Sequence, residues 1–162
     1  MRVQEKEMIW KELDGSLIFT GVKADRWQEV LQQAGSALQQ KGYAKDTYTE
    51  ALLEREVRYP TGIDIRGIGV AIPHTDPCQI KKEGLAILTL ASPVTFGKMG
   101  TEQGCVNVSL VFVLAVKEPG SQIERLRQIM YLIQDREVLK KLQCASKVQD
   151  VIDVIREKEE TP

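Results

Sequence analysis

Histidine is nearly absent from this chain: one residue, His74, among 162, so any histidine chemistry falls to that single ring. Cysteine is scarce too. Cys78, Cys105 and Cys144 are odd in number, widely spaced and free of any C-x-x-C pair, which excludes a disulfide framework and points to a reducing compartment. With His74 they make a formal Cys₃His set, but structural zinc ligands come in close pairs and only His74 and Cys78 are neighbours. Three small buried or half-buried thiols are expected instead, and no metal. No apolar run nears the roughly 20 residues needed to span a bilayer. Residues Met1 to Glu7 are polar and charged, unlike a secretory leader, so a cytoplasmic protein with no membrane insertion is expected. The net charge of −1 gives no electrostatic reason to expect nucleic acid.

What the chain does have is ordinary for a folded protein. Apolar residues make up 43% and charged residues 28%, and the length suits one domain, residues 1–162, with a real core. Within it, Gly67-Ile68-Gly69-Val70-Ala71-Ile72-Pro73-His74-Thr75-Asp76-Pro77 stands out. Ile68 to Ile72 reads as a short apolar strand that Pro73 stops, because proline cannot donate to a ladder. Asp76-Pro77 then favours a turn. His74 is thereby placed at the carboxyl end of a strand, where open α/β folds put their chemistry. A lone histidine is more often structural than catalytic. Here the apolar strand and the prolines hold it rigidly, and Gly67 and Gly69 let a backbone or an anion come close.

Around this stretch the pattern interleaves strands and helices. Residues 1–15 read as an arm whose Met8, Ile9, Trp10 and Leu13 cover an apolar surface. Leu17 to Phe19 reads as a strand. Asp25 to Lys41 reads as a helix, with Trp27, Val30, Leu31, Ala34 and Leu38 on one face, Asp25 as cap and Gly42 as the left-handed residue after it. A second helix runs from Asp46 or Thr47 to Arg55 or Glu56, with Tyr48, Ala51 and Leu52 inward. Leu85 to Ala91 reads as a buried strand, Ser92 to Gly104 as a loop and Val106 to Val116 as a central strand rich in β-branched residues. Ser121-Gln122-Ile123-Glu124 has the form of a capping box opening a helix. Asp135 and Ser146 cap two more, and Glu157 to Pro162 reads as a frayed tail. The class is α/β, with helices covering both faces of one sheet.

The run GIGVAIPH, with the helical ALLERE of Ala51 to Glu56 and Pro60-Thr61-Gly62-Ile63 before it, resembles the active-site region of the type 2 (fructose–mannitol–galactitol) IIA domains of the bacterial sugar phosphotransferase system. The resemblance covers about Asp25 to Ile155, and the YPTGI and AIPHTDP wording is nearest the galactitol branch. It implies a single mixed β-sheet flanked by helices, a three-layer α/β/α domain. It also implies a phosphotransferase in which Nε2 of His74 accepts a phosphoryl group from the phosphocarrier HPr and passes it to a cysteine of a IIB component. A backbone carbonyl or similar acceptor would hold Nδ1–H. Donor and acceptor are both protein-borne, so no cofactor is implied, and a monomer is the simplest carrier.

Phosphoryl transfer needs positioning and cationic or N–H stabilisation more than covalent help. The resemblance assigns the cation to Arg55, whose fork suits a phosphoryl group. Arg58 and Arg66 are nearer His74 in sequence and stay open as alternatives. Backbone amides around Gly67, Gly69 or Ser121 are further candidate donors, Gln122 is a candidate partner for a phosphoryl oxygen, and Pro73 and Thr75 flank the ring. Ile63, Ile65 and Met99 are candidates for the docking face. Three departures from the family pattern stand out. Thr75 replaces a common glycine, Ser121-Gln122 stands where mannitol-type members carry a second histidine, and Arg55 lies slightly further from His74 than in that type. A regulatory module that signals by the phosphorylation state of His74 fits the same residues. A hydrolase does not, for lack of a nucleophile elbow.

Overall fold

A computed structural model describes residues 8–161. Its five strands are β1 (Ile18–Val22), β2 (Gly62–Ile65), β3 (Ile68–Ala71), β4 (Gly84–Gly97) and β5 (Cys105–Ala115). They form one mixed sheet in the order β1-β4-β5-β3-β2. β5 lies in the middle, parallel to β3 and antiparallel to β4; β1 runs parallel to β4, and β2 antiparallel to β3. The helices are α1 (Ile9–Glu12), α2 (Trp27–Gln40), α3 (Tyr48–Arg58), α4 (Pro119–Ile133), α5 (Arg136–Cys144) and α6 (Val148–Glu160).

Alternation along the strands divides the core in two. Ala71, Val108, Val111 and Val113 face α2 and α3, through Val30, Leu31, Leu38, Tyr48 and Leu52. Val70, Ile72, Leu110, Phe112 and Leu114 face α1, α4, α5 and α6, through Ile129, Leu132, Leu139 and Ile155. Successive side chains of a strand point to opposite faces, so one apolar run such as Leu110 to Val113 serves both layers. The expected three-layer α/β/α arrangement is the one found.

Several boundaries differ from the sequence reading, each for a local reason. Leu17 belongs to a 3₁₀ turn (Gly15–Leu17), and the first strand starts one residue later. Asp25 does not cap α2. Arg26 holds that position, and the Glu29 carboxylate reaches back to the amides of Asp25 and Arg26. Gly42 does take the left-handed conformation, with φ +83°. Half of the expected loop after Ala91 is strand: β4 breaks register between Thr89 and Val94 and then pairs with β5 again to Gly97. β2 was not foreseen.

Helix α4 begins at Pro119, two residues before the expected serine cap. Proline's fixed φ and missing N–H suit the first helical position, so Ser121 lies inside the first turn. Asp135 caps α5 through the amides of Glu137 and Val138, whereas Lys147, not Ser146, precedes α6. The chain stays helical to Glu160. Glu159 there accepts the amides of Ile9 and Trp10, both at 2.8 Å, and so fastens α1 to α6. Of the expected arm, residues 1–7 lie outside the described residues, as does Pro162 of the tail. The three cysteines are exposed and free, not buried as expected. Cys105 and Cys144 lie at the start of β5 and the end of α5, beyond the apolar positions that pack inward.

Candidate active site

β3 ends at Ala71, but its line continues. The Leu114 amide donates to Pro73 O at 3.0 Å, and His74 makes a parallel bridge to Leu114 of β5. Pro73, buried and without an N–H, ends the ladder while its carbonyl still fastens the loop to the central strand. His74 follows, half-buried. Its Nδ1 lies 3.0 Å from Ile72 O. A carbonyl only accepts, so this contact assigns the proton to Nδ1 and leaves Nε2 bare. Burial pushes the ring below its ordinary value of 6.5; the Ile72 bond opposes this, Arg55's charge reinforces it and Asp76 opposes it. The ring is therefore neutral at pH 7, with its nucleophilic nitrogen available.

Beside the histidine, a cleft of about 360 Å³ opens between the last turns of α3 and the His74 loop. Glu54, Arg55, Arg58 and Tyr59 line it on one side, and Thr75, Asp76 and Gln79 on the other. Arg55 stacks over the Tyr59 ring with 5.2 Å to its centroid and pairs with Asp76 at 3.4 Å. The two side chains are 34% and 77% exposed. A solvent-open pair at that distance is weak, so an arriving dianion can displace Asp76 from the guanidinium.

The expected residues fall into two groups. His74, Arg55, Pro73, Thr75 and Gln122 are brought together. Thr75 is buried, its hydroxyl donating to Asp76 O, and Gln122 Nε2 donates to Thr75 O at 3.0 Å, which ties α4 to the loop. Arg58 shares the cleft. Gly67 and Arg66 form the two-residue turn between β2 and β3, at the other end of β3 from His74. Both have positive φ, +50° for Arg66 and +95° for Gly67, as a tight hairpin requires. The Gly67 amide is engaged by Asp64 Oδ1 at 2.9 Å. Gly69 does admit a close backbone, that of β5: a Cβ there would collide with the Asn107 carbonyl. The Ser121 amide donates to Glu118 O at 3.1 Å, within the first turn of α4. Ile63 and Ile65 pack on the α4–α6 side of the core, while Met99 is 44% exposed.

Sequence reasoning missed one pair at this end of the sheet. Glu56, only 4% exposed, accepts the Thr61 amide at 2.8 Å and the Thr61 hydroxyl at 3.0 Å. Burial raises its carboxyl from the ordinary 4.5 to about 7, against the Thr61 hydrogen bonds and the Arg55 charge. A signal was available: Tyr48, Leu52 and Glu56 lie four residues apart, so Glu56 occupies the next inward slot of α3.

A mixed α/β domain that presents a histidine and a nearby arginine at the carboxyl end of an inner strand is suited to handling anionic groups. Comparison with known proteins narrows this. The family described as "Phosphoenolpyruvate-dependent sugar phosphotransferase system, EIIA 2" matches residues 12–158, and the chain belongs to that family. It is 32% identical over 114 residues to the galactitol-specific EIIA component of the phosphotransferase system of Escherichia coli K12, covering 70% of this chain and 75% of that one. It is also 32% identical over 128 residues to the transcriptional regulator ManR of Bacillus subtilis, covering 78% of this chain and 18% of that one. Among solved structures, IIA mannitol from E. coli superposes with a TM-score of 0.75 at 25% identity, covering 88% of this chain and 98% of that one. The complex of the E. coli mannitol IIA and phosphorylated IIB enzymes gives 0.76 at 24% identity, covering 90% and 97%. No helix among the described residues is long and apolar enough to cross a membrane.

Proposed function

We propose that this EIIA domain carries a phosphoryl group on Nε2 of His74, taken from phospho-HPr and passed to a cysteine of a IIB component, for uptake of a galactitol-like sugar or polyol. The observation that carries the reading is the Nδ1 contact to Ile72 O, which leaves Nε2 bare on a ring close enough to Arg55 to feel its charge. In the first step the Nε2 lone pair forms a bond to phosphorus as the bond from phosphorus to the donor breaks. The Nδ1 proton stays on the ring, whose charge the Ile72 carbonyl supports. In the second step the acceptor sulfur forms the bond to phosphorus and His74 leaves as neutral imidazole. Arg55, freed from Asp76, stabilises the oxygens of the transferring group, with Arg58 in reserve in the same cleft. Gln122 and Thr75 hold the loop, and no cofactor takes part.

The IIB partner is proposed from the mannitol IIA domain whose complex with phosphorylated IIB has this fold. The galactitol assignment rests on the likeness to the galactitol-specific component. The likeness to ManR favours a second reading, in which the phosphorylation state of His74 controls a binding partner instead of feeding a transporter.

The test is intact mass after incubation with phosphoenolpyruvate, enzyme I and HPr. An acid-labile phosphoryl adduct on wild type, absent from His74→Ala, is the expected result. No adduct on wild type overturns the carrier reading. Addition of a galactitol-type IIB then separates the two uses: loss of the adduct to IIB supports transport, and retention favours regulation.

A further inference from the structure

The contact that fixes the histidine tautomer raises a further question: what holds the carbonyl of Ile72 in place? Ile72 is pinned from both sides. Its carbonyl accepts from His74 Nδ1, and its amide donates to Thr61 Oγ1 at 3.1 Å. That hydroxyl in turn donates to Glu56, at 3.0 Å to Oε1 and 3.1 Å to Oε2, and the Thr61 amide donates to Oε2 at 2.8 Å. Glu56 is 4% exposed, Thr61 4% and Ile72 3%, so no solvent competes for these groups.

The hydrogen-bond count is specific. A threonine hydroxyl has one proton to give and lone pairs to receive with. With Glu56 as a carboxylate, the form that prevails above about pH 7, the Thr61 proton goes to Glu56 and the Ile72 amide takes a lone pair, so every donor meets an acceptor. An apolar residue in place of Thr61 would orphan the Ile72 amide inside the core, where an unmade hydrogen bond is costly. The network also joins the elements of the site: Glu56 follows Arg55 on α3, Thr61 precedes β2, and Ile72 precedes the His74 loop.

We infer that Glu56 and Thr61 are positioning residues for phosphoryl transfer, fixing through Ile72 the Nδ1–H tautomer and the orientation of His74. Neither touches the phosphoryl group. The inference rests on the carrier reading of His74 and adds the buried device that keeps the nucleophile aimed. Small misplacements of a reacting group are expensive, so the consequence falls on the transfer step and not on docking of the donor.

The test compares Thr61→Val, Thr61→Ser and Glu56→Gln with wild type in two measurements. The first is transfer from phospho-HPr, resolved into the saturating rate and the KM for the donor. Thr61→Val and Glu56→Gln are expected to lower the saturating rate about tenfold or more while leaving KM within about twofold. Thr61→Ser, which keeps the hydroxyl, stays near wild type. The second is the ¹⁵N chemical shift of the His74 ring nitrogens in the free protein. Wild type and Thr61→Ser are expected to show a protonated Nδ1 and a bare Nε2, and Thr61→Val a mixture of tautomers.

An unchanged ring signature in folded Thr61→Val overturns the inference, as does a rise in KM at constant saturating rate, or an equal rate loss in the serine and valine variants. Should Glu56→Gln fail to fold, the threonine pair decides alone. Should wild type accept no phosphoryl group, the carrier reading fails, while the ring signature still decides whether Thr61 sets the tautomer.

Discussion

The two ends of β3 look alike in sequence and differ in kind. At one end Arg66-Gly67 turns the chain; at the other Pro73-His74 leaves it beside Arg55. Each joins a charged or titratable residue to one with special backbone chemistry, and both lie close to the same apolar strand. The turn end spends its residues on backbone geometry, with two positive φ values and an amide closed by Asp64. The histidine end spends its own on electrostatics: a bare ring nitrogen, an arginine stacked on Tyr59 and paired with an exposed carboxylate, and a cleft beside them. Proximity in sequence therefore says little about which arginine lies near His74 in the fold. Arg66 is eight positions from His74 and Arg55 is nineteen, yet the sheet separates the first and the α3 packing delivers the second.

The sharpest way to break this contrast is to exchange the arginines' fates. Arg55→Ala is expected to slow phosphoryl acceptance by on the order of 10²-fold, and Arg55→Lys to recover only part, since an ammonium cannot form two parallel bonds. Arg66→Ala should change the rate by less than about twofold, because the turn lies outside the cleft. Single-turnover transfer from phospho-HPr measures both. Equal losses in the two variants would dissolve the distinction between the ends.

Next in size is the pH dependence that Glu56 gives the histidine end. Its folded value of about 7 lies above the unfolded 4.5, so the folded state keeps a proton that the unfolded state releases between those limits. Its contribution is thus most favourable below about 4.5 and is lost as pH rises through 7. The total swing is on the order of 3 kcal/mol. Urea unfolding of wild type against Glu56→Gln at pH 5 and pH 8 reads it: relative to the variant, wild type should lose stability on going to pH 8.

Smaller effects belong to the backbone. Gly69→Ala forces a Cβ into the Asn107 carbonyl and should cost about 1–3 kcal/mol of unfolding free energy. Gly67→Ala meets open space, so only its positive φ is penalised, at about 1 kcal/mol. For Gly67→Ala, which lies far from the ring, transfer to His74 should stay close to wild type. Least of all are shifts in the histidine's own titration, followed by ring-proton NMR. His74 should titrate below 6.5, higher in Arg55→Ala and lower in Asp76→Asn, because the arginine depresses it and the aspartate raises it.

Much of the architecture was legible because its causes are local. Alternation and β-branching marked β5, proline marked the end of β3, and the 3.6-residue stripe marked α2. What was misread involved a local signal that another one outranked. Ser121 and Glu124 spell a cap, but Pro119 had already fixed the first helical φ. β2 is four residues long, carries Gly62 and Asp64, and is a strand because β3 supplies its partner. Within the site, His74 stood out from its local motif, whereas helix position alone left Arg55 a solvated cation and only the family resemblance favoured it over Arg58 and Arg66. Thr61 gave no sign of its role, since a threonine before a strand reads as an ordinary loop residue until its neighbours are known.

By itself, then, the amino-acid order determined the α/β class, the strand that carries the one histidine, and the arginine at the end of a helix, because these follow from periodicity and backbone preference along a continuous chain. Only the tertiary structure decided that Glu56, Thr61, Ile72 and His74 share one hydrogen-bonded line, that Gln122 closes on Thr75, and that Gly67 belongs to the opposite end. A hydrogen bond reaches about 3 Å, and which groups come within that distance depends on how separate elements pack.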